Sequence, residues 1–87
     1  MTAPASIEDL RDHFAHCIQV LGGVTTASRR LGIDERAIRR FINAERPLSA
    51  RLLEDTATSL LLLIAEAAAA EEHIRAELAR LPDHPGS

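Results

Sequence analysis

The sequence predicts an all-α chain, a small helical bundle that ends in a long C-terminal helix. Three observations predict it. No stretch of the 87 residues alternates apolar and polar side chains as a strand would, and the β-branched residues are scattered. Apolar residues recur instead at intervals of three and four, the spacing of one helix face. From position 50 to 81 no Gly or Pro occurs, and Ala, Leu, Glu and Arg, all strong helix formers, dominate.

The elements follow in order. Helix one is expected over residues 7–21, with Ser6 as cap and Asp9 three residues on, close to a capping box. Its stripe is Ile7, Leu10, Phe14, Cys17, Ile18 and Leu21, and Gly22-Gly23 ends it, because Gly accepts the left-handed conformation past a helix end. Helix two spans about residues 24–31, with Ala27 and Leu31 on one side, and Gly32 breaks it. Asp34 is placed to cap helix three, residues 35–43. After the connector Glu45-Arg46-Pro47, Ser49 can cap a fourth helix from Ala50. If continuous to Leu81 that helix has roughly 32 residues and a length of about 48 Å. A small domain cannot cover such a length, so the helix either breaks once near residues 67–70 or projects and pairs.

Length allows one domain. The net charge of −3 looks wrong for a nucleic-acid binder, but the charge is sorted along the chain. Residues 1–23 hold one Arg and three acids, residues 24–51 seven Arg and three acids, and residues 52–87 two Arg and seven acids. A segment of +4 thus sits between segments of −2 and −5. All ten basic residues are Arg, which suits planar contacts to phosphate and guanine. The single cysteine, Cys17, excludes an intrachain disulfide and a multi-Cys zinc site, and a cytoplasmic setting is expected. The longest uncharged apolar run, 60–65, is too short to span a bilayer, and the N-terminal stretch lacks the basic start and apolar run expected of a signal peptide. Two Phe and no Trp or Tyr weigh against stacking of single-stranded bases. No Ser/His/Asp or Cys/His catalytic set, P-loop or paired carboxylates emerge, so no enzyme activity and no cofactor are expected.

The informative segment is residues 22–53, GGVTTASRRLGIDERAIRRFINAERPLSARLL. Two short helices meet at Gly32, with apolar positions at Ala27, Leu31, Ile33, Ile38 and Phe41. This resembles the helix-turn-helix of the Cro and lambda-repressor class, over about residues 20–53. Gly32 matches the turn glycine and the five apolar residues match the buried positions. Ser28 stands where that class most often has Ala, and is small enough to fit. The run Asn-Ala-Glu-Arg-Pro-Leu-Ser resembles the loop that follows the second helix. With the Pro- and Gly-bearing, non-periodic ends read as tails, the chain divides into a tail (1–5), a helix-turn-helix core (6–48), a long helix for core packing and dimerisation (49–81) and a second tail (82–87). The resemblance extends to the core. It also implies a DNA-binding regulator, often autoregulating a phage or mobile-element operon.

Helix three carries the expected reader. At 100° per residue, with Arg36 at zero, Arg40 falls near 40°, Asn43 near −20° and Arg39 near −60°, while Ile38, Phe41 and Ile42 fall between about 140° and 240°. The major groove of B-DNA, about 12 Å wide, admits one helix, where Arg can bond guanine twice and Asn adenine twice. Arg36, Arg39, Arg40 and Asn43 are therefore the expected base readers. Thr25 and Thr26, at the start of helix two, either cap it or hold a phosphate. Arg46 and Ser49 could hold the next phosphate. Of Arg29 and Arg30, at most one is expected to face DNA and the other to pair with an acid. Glu35 either complements the helix dipole or accepts from cytosine.

In the long helix, Leu53, Ala57, Leu60, Ile64, Ala67, Glu71, Ile74, Leu78 and Leu81 step by four and three, a seam of about four heptads. It serves either a homodimer, with Leu60, Ile64, Ala67, Ile74 and Leu78 at the interface, or a core helix packed back on helix one. His13, His16 and Cys17 cluster on helix one, where surface histidines beside a structural Cys fit better than a metal site. The expectation is a small dimeric repressor that binds a palindromic double-stranded operator, touches no membrane, and lies in a bacterial cytoplasm, on the nucleoid when bound. A rival is an antitoxin or inhibitor that binds a protein through its acidic C-terminal helix, and a third is a coiled-coil scaffold.

Overall fold

The structure, a computed structural model, describes residues 7–82. Among these the chain is all-helical: α1 (Ile7–Val20), α2 (Val24–Leu31), α3 (Glu35–Ile42) and α4 (Ala50–Arg80). The expected Ser6 cap and all but Pro82 of the two tails fall outside the described residues.

The core forms where the stripes converge. Phe14, Ile18 and Leu21 of α1 and its end, Ala27 of α2, Ile38 of α3 and Leu52 of α4 are buried in one cluster. Leu31, Ile33, Phe41, Leu48 and Leu63 pack around it. Phe14 and Phe41 meet edge to face, with centroids 6.2 Å apart. From Leu10 to Leu21 the stripe read from α1 is thus its core face, although Leu10 and Cys17 are only half-buried; the side chain of Ile7 lies outside the described ones.

The turns follow local chemistry. At the end of α1 the Gly22 and Gly23 amides donate to the Gln19 and Ile18 carbonyls, at 3.0 and 2.9 Å. Gly22 has φ +110°, and a Cβ there would stand 3.0 Å from the Thr26 Cβ, so both its backbone and its neighbour require Gly. At the α2–α3 turn Gly32 has φ 70° and ψ 31°, and its amide donates to the Ser28 carbonyl at 2.9 Å. The Ser28 hydroxyl closes the same turn by donating to the Ile33 carbonyl at 2.5 Å. Asp34 occupies the N-cap position of α3, but its side chain makes no capping bond; its carbonyl accepts the first helical bond, from the Ile38 amide at 3.1 Å.

Ser49 caps α4, its hydroxyl oxygen accepting from the Leu52 amide at 3.1 Å. The helix is not broken at residues 67–70; it runs without interruption for 31 residues, about 46 Å. Its core contact lies one residue off the predicted seam. Leu52, Thr56 and Ser59 are buried, while Leu53 and Leu60 are half-buried and Ala57 is exposed. The buried Thr56 hydroxyl donates to the Leu52 carbonyl at 2.8 Å, which lets a polar residue face the core at little cost.

Past Leu63 every residue to the end of α4 is exposed, so the helix leaves the head as an arm. The radius of gyration, 17.8 Å, records this; a compact chain of this length would have about 12 Å.

Gly32→Ala isolates the cost of the left-handed turn, since nothing lies within 4 Å of the added Cβ. We expect a loss of about 1 kcal/mol, read as a fall of about 4–8 °C in Tm; an unchanged melt would mean the turn relaxes away from φ 70°.

Candidate nucleic-acid interface

Burial of Ile38 on one side of α3 turns the other side outward. Arg36, Arg39, Arg40 and Asn43 are all exposed, and together with Glu45 they line one open polar depression. The four residues read from the helical wheel are thus brought together on one surface. Glu35 accepts from the Arg39 guanidinium at 3.0 Å, one turn away on the same helix. This gives Glu35 a role that neither of its two expected ones contained: it holds the Arg39 guanidinium on the helix surface. Arg36 and Arg40 have no such brace among the contacts of the described residues.

The chain then leaves the surface in a tight turn. Asn43 ends α3, its amide donating to the Arg39 carbonyl at 2.8 Å. The Ala44 amide donates to Phe41 (3.3 Å) and the Glu45 amide to Arg40 (2.8 Å). This is the Schellman pattern, and Ala44 adopts its left-handed position with φ 65°, where Gly is the usual residue. The turn brings Glu45 to the depression, a neighbour the wheel could not show because the helical geometry has ended.

The remaining expected contacts are spread along the same segment. Thr25 is exposed; Thr26 is half-buried, and its side chain stands against Gly22. Arg46 is exposed and lies over the Phe41 ring, its guanidinium carbon 5.3 Å from the centroid. Ser49 is exposed but already accepts the cap bond of α4. Of the two arginines of α2, Arg30 pairs with Glu66 of α4 at 2.9 Å, and Arg29 is exposed. The Arg30 Nε is buried without a hydrogen-bond partner, so that stem is held tightly against the head.

His13 and His16 stand with ring centroids 6.3 Å apart on α1, and Cys17 is a half-buried free thiol. Among the described residues no group of three or more His, Cys, Asp or Glu is placed to hold a metal ion, and no helix is long and apolar enough to cross a membrane.

No protein-family model, curated protein or solved structure matches this chain. The site therefore stands on its own geometry: a short helix that ends one residue before the expected Asn43, with three arginines on its outer face and the asparagine at its C-cap, set by a left-handed glycine turn against a second short helix.

Ala44→Gly removes the strain of an L-residue at positive φ. We expect a net gain of about 0.5–1 kcal/mol, the reverse of Gly32→Ala, visible as a higher Tm. A lower Tm would show that the Ala44 methyl contributes packing that outweighs the strain.

Proposed function

We propose that the protein is a sequence-specific regulator that binds double-stranded DNA, a small dimeric repressor of the Cro and lambda-repressor type that reads the major groove with α3. The observation that carries this is the shared exposure of Arg36, Arg39, Arg40 and Asn43 on one face of α3, opposite the wholly buried Ile38. Arg bonds guanine and Asn bonds adenine through paired contacts in that groove, and an Arg held by Glu35 loses less freedom when it does so. The start of α2, with Thr25 and Thr26, offers amides and hydroxyls to one phosphate, while Arg46 and Ser49 flank the next. Arg46 does this from its place above Phe41, and the Ser49 hydroxyl hydrogen is left for a phosphate by its cap bond, in which the oxygen accepts.

Dimerisation is part of the proposal. Along the arm Ile64 is 65% exposed, Ile74 56%, Leu81 54% and Leu78 43%. Complete burial of such a side chain contributes about 1.5–3 kcal/mol, so a second copy has much to gain by covering this face. A two-fold pair also suits a palindromic operator. Such a protein works in the cytoplasm of a bacterial host by occupying a promoter, as mobile-element repressors do. The exposed acidic arm favours one other reading, an inhibitor or antitoxin whose target is a protein; that protein would bind partner without binding DNA.

The test is an anisotropy titration with DNA from upstream of its own coding sequence and with a randomised pool, across salt concentrations. Specific binding is expected to weaken steeply with salt. Arg40→Ala is expected to cost about 1–3 kcal/mol at one base pair in each half-site and to leave discrimination elsewhere intact. Failure to select any sequence from the pool excludes the repressor, and an unchanged preference in Arg40→Ala removes Arg40 from the readers.

A further inference from the structure

The predicted seam of α4 has two halves with different surroundings. In the first half, Leu53, Ala57 and Leu60 form an open groove with Leu10, Phe14 and Cys17 of α1, a mostly apolar space of about 290 Å³. A cavity of about 150 Å³ takes a group the size of benzene, so the groove has room for two large aliphatic side chains. In the second half the same helix face carries Ile64, Ala67, Ile74, Leu78 and Leu81, all exposed, and α1, α2 and α3 supply no second wall there. One half of the face is concave and the other convex.

We propose that α4 pairs with α4 of a second copy in the antiparallel sense, so that Leu78 and Leu81 of each copy lie over the α1–α4 groove of the other. The proposal rests on the dimer of the preceding section and adds its geometry. Two observations favour it over a parallel pair, and a third favours a second copy on this face. The first is shape. A parallel pair sets groove against groove and arm against arm, leaving the apolar space open. An antiparallel pair centred near Ala69 sets convex against concave at both ends, with Ile64 opposite Ile74 and Leu60 opposite Leu78. The second is charge. In a parallel pair Glu71, the seam's one charged residue, faces Glu71 of the other copy, a like-charge contact. In the antiparallel pair Glu71 falls opposite Ala67, whose small side chain leaves room for the Glu stem to reach solvent and keep its intrahelical pair with Arg75. The third is area. The chain exposes 6746 Å², against about 5000 Å² for a compact monomer of this mass. The difference exceeds the roughly 800 Å² per partner that a standard stable interface hides, and among the described residues the arm is the part that stands outside the head.

Sedimentation and pulsed dipolar spectroscopy test this without DNA. The full chain carries Cys17→Ser to remove its native thiol, and a spin label is attached through Asp55→Cys or, separately, Arg80→Cys, both at exposed positions away from the seam. An antiparallel pair separates the labels along the axis by about 42 Å for position 55 and about 33 Å for position 80. A parallel pair holds each label within about 25 Å of its twin. A dimer with the two long distances is the expected result. A dimer with both distances short overturns the antiparallel geometry and leaves the dimer standing. A monomer at the labelling concentration, in both the native and labelled chains, overturns geometry and dimer together. DNA binding enters neither measurement, so failure of the repressor assignment would show only in the titration.

Discussion

Ile38 is the contact on which the rest of the molecule depends. It is wholly buried with Phe14, Ile18, Leu21 and Ala27, and it is the one fully buried side chain of α3. An eight-residue helix has too few turns to be stable by itself, so α3 exists because this side chain and its partly buried neighbours Phe41 and Ile42 dock it. The same docking fixes its rotation. Positions two before, one and two after, and five after Ile38 are then forced toward solvent by the helical repeat. Those positions are Arg36, Arg39, Arg40 and Asn43. The face that meets DNA in the proposed function is therefore a consequence of core packing, and a change at Ile38 would disturb recognition without touching any recognition residue.

The parts of the fold that could be read from the sequence are those governed by one residue type at one place. Gly22 and Gly32 mark the turns because positive φ is costly for other residues, and Ser49 marks the start of α4 because its hydroxyl satisfies an amide that the helix cannot. The parts that could not be read involve compensation. Ala44 takes a left-handed conformation usually left to Gly, because the Glu45 and Arg46 amides both return to the Arg40 carbonyl and hold the turn closed. Asp34 stands at a cap position and does not cap with its side chain. Thr56 and Ser59 look polar and so fall outside any apolar stripe, yet both are buried; for Thr56 the hydroxyl is satisfied by its own helix. That displaced the seam by one residue and hid the groove, which needs α1 for its second wall. Glu35 illustrates a limit of the wheel: the (35, 39) pair is visible in sequence, but whether it forms depends on how Arg39 is turned.

The arm of α4 is held differently from the head. Beyond Leu63 every residue of the helix is exposed, and among the described residues its tie to the head is the Arg30–Glu66 pair near its start, so little tertiary packing reinforces its backbone hydrogen bonds. What supports it locally is Ala-rich composition and the ion pairs Glu71–Arg75 and Glu77–Arg80, each contributing only about 0.2–0.5 kcal/mol. These are small terms against the fraying of some seventeen exposed residues. A helix so poorly covered, carrying large aliphatics on one face, gains order and burial together when a second helix covers it. In the proposed dimer this makes the order of the arm depend on protein concentration, while the head, with its own core, does not share that dependence.

The charge sorting and the ion pair between Arg30 and Glu66 connect these two parts. The +4 segment, 24–51, contains α2, α3 and the following turn; the −5 segment, 52–87, contains nearly all of α4. In the proposed function, phosphates would attract the first and repel the second, orienting the head with α3 inward and lowering affinity for wrong poses. The net charge of the whole chain conceals this because it averages two opposed surfaces. Arg30 bridges them, from the helix that packs beside the reader to the first turn of the arm, at 2.9 Å. An exposed pair of this kind contributes little to stability. Its consequence is geometric: with Leu52, Thr56 and Ser59 docked in the head and Glu66 tied to α2, the arm leaves the head in a fixed direction. The distance between two readers is then set by how two arms overlap, so operator spacing would be decided in the part of the protein that carries the least positive charge and lies farthest from the readers.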